Sequence, residues 1–417
     1  MTNDPKEEWD KLQRRIQEIA KGDPRLLGFA SAHLGYGSPV GELIGFDFRD
    51  ANIDFAPFGT DAHELEYLRR IIDTIDSGCE TVTEKPLEGV VREILHAETT
   101  LELERYNLFT SASGARHALV GVLQKLVTQD KPVVLYASPN WIFDNVMTKV
   151  PGAQGYGFHA TSAEEFVEGF EQHAQNNVAA LILVDPANPL GYRFNREHIE
   201  RIESIAERSG IVPIFDDPFR ALQEEGKRHS SSQYSSRSVI VETTSKRLGA
   251  RGLGITWTLV PKQLSQVTPE IAIGCQGCEN IAAITIDSLY QARYGERIRE
   301  MLIANSKAFQ AGLRSVTDQG EFRQAFPGMP ILTYMLPEYL NPREVLGLLD
   351  PPVLMTSGFD WITANLRGDP DQDFRNSNKS ATKHGFSYLR ICPTKEPADR
   401  SYVAGVILGT MVQKLKR

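Results

Sequence analysis

Between about residues 105 and 260 the chain alternates two hydrophobic patterns. Short, nearly unbroken runs of β-branched and aliphatic residues give way to stretches whose apolar positions fall three and four apart. The first pattern suits strands buried on both faces and the second amphipathic helices, so their alternation predicts a mostly parallel sheet flanked by helices. The predicted strands are Val133 to Ala137, Ala179 to Val184, Val212 to Asp216, Val239 to Thr243 and Ile255 to Val260. Two segments between them, SAEEFVEGFEQHA and NREHIERIESIAERS, read as helices. In the second, Asn195 is placed to cap the first turn, Glu197 and Glu200 complement the helix dipole, and Ile199, Ile202 and Ile205 line one face.

Near residue 315 the pattern changes. GMPILTYML, PPVLMTSGF and FSYLRIC read as strands and the last 20 residues as a helix, which predicts a smaller α+β lobe. The expected organisation is an N-terminal segment, 1–75, that packs with this lobe, a large domain over 76–314 and a small domain over 315–417. The serine-rich stretch Ser230 to Ser238 reads as a mobile loop.

Composition narrows the class. With 417 residues, 41% hydrophobic and 24% charged, the chain has the balance of a globular protein and length for more than one core. A formal charge of -9 and the lack of a long Lys/Arg block argue against a nucleic-acid partner. The start alternates charges, and no apolar stretch of about 18 residues occurs, so a cytoplasmic protein without membrane spans is expected. Four cysteines, at 79, 275, 278 and 392, are too scattered for a disulfide framework, and the Cys275–Cys278 pair lacks two further ligands for zinc. No metal is expected.

The polar residues of interest follow the predicted strands. Lys246, in Thr243-Thr244-Ser245-Lys246-Arg247, sits between a β-run and the glycine-rich turn Gly249 to Gly254, where backbone can approach a ligand closely. A lysine that forms an imine must lose its proton near neutral pH, which calls for a partly desolvated pocket. Asp216 ends the run IVPIF, so its carboxylate falls inside the fold and needs a cationic partner; a protonated pyridine nitrogen or an arginine would serve. Asn188 follows a strand in Asp185-Pro-Ala-Asn-Pro-Leu-Gly191, a rigid turn whose amide is a possible donor. Ser111-Ala-Ser113-Gly114-Ala115-Arg116 opens a helix, where free amides suit a phosphate and where serine and glycine also serve as plain caps. Trp141 lies just past the next strand, as a platform for a flat ring or as a core residue.

Taken in this order, these features resemble the class I and II aminotransferases, the fold-type I pyridoxal-phosphate enzymes, over roughly residues 80 to 395. The resemblance implies an α/β fold with a mostly parallel, seven-stranded central sheet, and pyridoxal 5'-phosphate as cofactor. It also implies a homodimer with its site at the subunit interface. By the same resemblance Ser113, Gly114, Ala115 and Arg116 form the phosphate cup, Trp141 stacks on the pyridine, and Asn188 donates to the ring oxygen. Asp216 partners the ring nitrogen. Lys246 is the imine-forming lysine and Cα base, with Thr243 and Ser245 near the phosphate. Arg390, in FSYLRIC, grips the substrate α-carboxylate with a planar fork.

Four departures stand out. Phe219 replaces the tyrosine that the family shows after the ring-nitrogen aspartate, which predicts a raised imine pKa. Gly254 stands where the phosphate-binding arginine belongs, so Arg251, with Arg247 second, becomes the candidate cation. No tyrosine occurs near residues 80 to 90, where the family supplies one to the neighbouring subunit, and Asp50-Ala51-Asn52 replaces a glycine of the N-terminal substrate segment. The retained set supports Cα-carbanion chemistry on an α-amino acid. Transamination is the leading expectation, and elimination, replacement or cyclisation at the β or γ carbon is the alternative. A pyridoxal-phosphate-sensing regulator is a third reading, opposed by the net charge and by the lack of a basic helix-turn-helix. A cofactor-binding protein without activity is a fourth, opposed by the retained Lys246, Asp216 and Arg390.

Overall fold

The computed structural model describes residues 46–47, 49, 86–111, 114–141, 143–224, 230–247, 254–267, 276–291, 293–351, 353–357, 361 and 387–416. The chain divides into two compact units, one of Asn52–Asn188 and Tyr192–Glu300, the other of Met1–Ala51, Pro189–Gly191 and Met301–Arg417. The division turns inside the helix Tyr294–Arg314, whereas the change of pattern in the sequence lies near 315. A continuous amphipathic helix carries no local signal of where its neighbours change.

Thirteen strands are numbered along the described chain. They are β1 Phe46–Asp47, β2 Tyr106–Ser111, β3 Val133–Ser138, β4 Gln154–His159, β5 Val178–Val184, β6 Val212–Asp216, β7 Val239–Thr243, β8 Thr256–Pro261, β9 Glu321–Arg323, β10 Leu332–Met335, β11 Val353–Leu354, β12 Thr356–Ser357 and β13 Tyr388–Ile391.

The larger unit is built on a seven-stranded sheet in the order β2-β8-β7-β6-β5-β3-β4. The pairs from β7 through β4 are parallel, and β8 runs antiparallel to both β7 and β2. The sheet is thus mostly parallel, as the alternation of runs and helices predicts. Every residue of β5 is buried, which is why its sequence, VAALILV, reads as an unbroken apolar run. The helix Arg196–Ser209 begins on Asn195, whose Oδ1 accepts from the His198 amide while His198 Nδ1 accepts from the Asn195 amide. Its Ile199, Ile202 and Ile205 enter the core beside Phe166 and Phe170 of the helix Ala163–His173.

The serine-rich stretch is not a loop free of the body. Ser231–Tyr234 forms a 3-10 turn, and Ser230, Ser231, Ser232, Ser235 and Ser238 are all buried. Small hydroxyl side chains bury cheaply once acids face them. Ser232 donates to Asp217 at 3.1 Å, Ser235 to Glu203 at 2.7 Å, and the Ser231 amide to Asp185 at 2.8 Å.

The smaller unit carries the antiparallel sheet β12-β13-β10-β9 and the parallel pair β1-β11. Its core joins Leu332, Tyr334, Leu389 and Ile391 to Phe309 and Leu313 of one helix and Ala404, Leu408 and Val412 of the helix Ala398–Lys414. A Cβ at Gly405 would collide with the Phe309 carbonyl, and one at Gly312 with that of Tyr402, so glycine on both helices sets their close approach.

Candidate active site

Register brings the predicted residues of the larger unit to one edge of its sheet. Asp216 closes β6 opposite Val184 of β5 and Val241 of β7. Thr256 of β8 pairs with Ser111 of β2 on one side and with Thr243 of β7 on the other. The helix start after β2 and the lysine turn after β7 therefore share the same end of the sheet. Trp141 follows β3 and Asn188 follows β5 at that end, where strand-following loops of parallel sheets collect ligands.

The glycine loop is pinned by backbone. Gly114 has φ +83°, a left-handed conformation that suits glycine, and its amide donates to the Gly254 carbonyl at 2.6 Å. The helix Ala115–Leu126 then starts without a side-chain cap. The Ala115 and Arg116 amides meet no acceptor among the described residues. An uncapped helix start of this kind fits an anion. The Arg116 guanidinium lies 5.3 Å from the centre of the Trp141 ring, a cation–π contact on a half-buried indole.

The lysine turn is ordered by hydroxyls. Thr243 Oγ1 donates to the Ile255 carbonyl at 3.2 Å, shares a 2.9 Å hydrogen bond with Ser245 Oγ, and accepts from the Ser245 amide at 3.2 Å. Thr244 also donates to the Ile255 carbonyl. Lys246 is half-buried on the four-residue helix Thr244–Arg247.

Asp216 is buried, and that burial pushes its carboxyl up from 3.8 to about 7, against the opposing pull of the Lys246 charge. A buried carboxylate facing an amine is a donor set that a protonated pyridine nitrogen completes, so these residues fit pyridoxal phosphate. Phe219 is 1% exposed and offers no hydroxyl. Asn188 is buried at the end of β5. Ser113 and Arg251, as well as Asp50 to Asn52 and Cys275, lie outside the described residues. Arg247, the second candidate for the phosphate, is committed elsewhere. It is buried, paired with both oxygens of Glu98, and its guanidinium lies 5.1 Å from the Tyr290 ring centre.

The sequence reading missed the ionic scaffold of the same unit. Arg220 forks onto Glu242 at 2.6 and 2.7 Å and donates to the Glu98 carbonyl at 3.3 Å. Trp257 Nε1 donates to Glu242 as well, at 3.1 Å. Burial works against the Arg220 charge, but Glu242 holds it above the ordinary guanidinium range. Asp217 is pushed well up by burial and then by Glu242, with Arg220 opposing. The one available signal was an acid inside an apolar strand, Glu242 in VIVET.

Arg390 belongs to the smaller unit. It is buried on β13, with Thr356 and Thr333 as its cross-strand neighbours. Its Nη1 donates to the Arg49 carbonyl at 2.8 Å.

Among solved structures, the kynurenine aminotransferase of Pyrococcus horikoshii, crystallised with PMP, superposes with a TM-score of 0.67 at 14% identity, covering 91% of this chain and 95% of that one. The aspartate aminotransferase of Bacillus sp. (strain YM-2) is 22% identical over 249 residues, 56% of this chain and 61% of its own length. The chain thus spans about three fifths of that relative. A lyase also aligns, the S-alkyl-thiohydroximate lyase of Arabidopsis thaliana, at 21% over 137 residues, 32% of this chain and 29% of that protein. The family model for aminotransferase class I and II matches residues 82–331. On that match, which takes in the glycine loop, Trp141, Asn188, Asp216 and Lys246, the chain belongs to the class I and II aminotransferases.

Proposed function

We propose that this protein binds pyridoxal 5'-phosphate covalently through Lys246 and uses it to deprotonate an α-amino acid at Cα, with transamination as the net reaction. The observation that carries this reading is Asp216, a buried carboxylate opposed by the Lys246 charge at the carboxyl edge of the sheet. Bound there, the cofactor supplies an electron sink that acidifies the Cα–H bond of an attached amino acid.

The chain's own residues divide the remaining work. Asp216 stays ionised against a ring N–H and keeps that nitrogen protonated. Asn188 donates to the ring oxygen without help from a hydroxyl at 219. Ser113 and the Gly114, Ala115 and Arg116 amides hold the phosphate, with Thr243 and Ser245 nearby and Arg251 as its cation. Trp141 covers one ring face. Lys246 Nζ takes the Cα proton and can return it to a different carbon. Arg390 grips the α-carboxylate in its own plane, which keeps the bond from Cα to that group from breaking. Family resemblance assigns these roles, and the register of the larger unit's sheet supports those of Asp216, Asn188, Trp141, Lys246 and the glycine loop. A homodimer with its site at the interface follows from the same resemblance.

A second reading is favoured by two departures, Phe219 and Gly254, and by the aligned lyase. In it the same Cα deprotonation ends in loss of a β or γ leaving group.

Sodium borohydride reduction of the protein loaded with pyridoxal phosphate, followed by peptide mass mapping, tests the core claim. The adduct is expected on Lys246, and an adduct on another lysine, or none, refutes it. A panel of amino acids and S-adenosylmethionine then separates the two outcomes. Release of a 2-oxo acid with conversion of the cofactor to its amine marks transamination. Retention of the aldehyde form with release of a leaving group marks elimination or cyclisation.

A further inference from the structure

Arg390 is held by contacts from two separate parts of the smaller unit. Its guanidinium carbon lies 4.3 Å from the centre of the Trp361 ring. Trp361 is itself anchored, because its Nε1 donates at 2.9 Å to Oγ1 of Thr356, the residue across the β12–β13 ladder from Arg390. The indole and the guanidinium are thus tied to the same rung of the sheet.

The second contact comes from a distant part of the chain. Arg390 Nη1 donates to the Arg49 carbonyl. That carbonyl is fixed in turn, since Arg49 forks onto Asp47 at 2.8 and 2.9 Å, and the Asp47 amide donates to Glu396 at 2.8 Å. Strand β1, which ends at Asp47, pairs with β11 two residues before Thr356. The ring restricts the tilt of the guanidinium, and the Nη1 hydrogen bond restricts its rotation.

We infer that Trp361 is a positioning residue for substrate recognition, fixing the plane in which Arg390 receives a carboxylate; this rests on the role proposed for Arg390 above. The indole closes one face of the guanidinium to water and to ligands, so a carboxylate must arrive edge-on, as bidentate pairing requires. A flexible arginine would accept an anion from many directions and discriminate poorly between a carboxylate and a carboxamide. The consequence is selectivity for substrates with a free α-carboxylate over the same amines carrying a primary amide.

The test uses the full-length protein loaded with pyridoxal phosphate and a panel of L-α-amino acids with their primary amides. The ratio of kcat/KM for each acid to that for its amide is compared in wild type, Trp361→Phe, Trp361→Leu and Thr356→Val. Wild type should prefer the acids. Trp361→Leu should lower the ratio by about tenfold or more, with KM for the acids rising and kcat little changed. Trp361→Phe, which keeps a π face, should stay within about threefold of wild type, and Thr356→Val should fall between the two. The borohydride adduct on Lys246 should form equally in all four.

An unchanged ratio in Trp361→Leu, an equal fall for acids and amides, or a wild type that does not prefer acids overturns the inference. If Trp361→Leu does not fold, Thr356→Val decides, and a ratio equal to wild type overturns it. A wild type without the Lys246 adduct sinks the proposed function and this inference with it, whereas an intact adduct with an undisturbed ratio sinks only the role of Trp361.

Discussion

Asp216 and Asp217 are consecutive and both buried, yet their surroundings differ. Asp217 belongs to a scaffold with its own partners: Ser232 donates to it, and Arg220, shared with Glu242 and Glu98, balances the local charge. Asp216 is influenced by the Lys246 charge, and burial dominates its behaviour. The first region spends its charges on holding the strands and loops of the larger unit together. In the second, on the function proposed above, a carboxylate and an amine are kept for the cofactor. Buried charge alone therefore does not mark the site, since Asp217 sits beside a serine donor and the Arg220–Glu242 pair, whereas Asp216 sits within the field of Lys246.

The comparison can be broken from the scaffold side. Glu242→Ala leaves Arg220 buried without its forked partner and removes the acceptor of Trp257, so a loss of about 3 to 5 kcal/mol is expected in urea unfolding. The remaining folded protein should still form the Lys246 adduct. A loss below about 1 kcal/mol would mean that the scaffold contributes little.

It can be sharpened at Asp216. Its carboxyl titrates near 7 when folded and near 3.8 otherwise, so the fold favours the protonated form. In cofactor-free protein this contribution is fully present below about pH 4 and is lost as pH rises through about 7, a change on the order of 4 kcal/mol. Asp216→Asn should lack that decline, and stability relative to wild type should shift in its favour across this window. Saturating pyridoxal phosphate should flatten the wild-type profile, because the ring nitrogen stabilises the ionised form. Parallel pH profiles for wild type and variant, measured by denaturant unfolding without cofactor, would contradict this.

The smallest effect is expected at Ser232. Ser232→Ala removes one donor to Asp217 and costs about 1 kcal/mol, without changing the pH at which Asp216 titrates. A shift in that pH would show that the two aspartates behave as one unit.

Much of this was legible in the sequence. A run such as VAALILV, short and rich in aliphatic residues, suits a strand covered on both faces, and the period of NREHIERIESIAERS suits a helix with Ile199, Ile202 and Ile205 inward. Asp216, Lys246 and Asn188 were found because they follow such runs. Strand β4, QGYGFH, carries two glycines and no run, so pairing with β3 and not its own composition makes it a strand. Ser230 to Ser238 reads as a loop because serine-rich segments are usually solvated, and it is buried because Asp185, Asp217 and Glu203 supply partners from elsewhere. Arg247 looked like a cation available to the phosphate until Glu98, 149 positions away, claimed it.

By itself the sequence determined the period of each element, the order of the chemical groups along the chain and the family to which that order belongs, because those depend on neighbours a few residues apart. Only the tertiary structure decided which charges are spent internally and which face outward to a ligand. Glu98 with Arg247, Glu242 with Arg220, and Arg390 with Trp361 and Arg49 are chosen by packing and desolvation, and these act between residues that the linear chain does not place together.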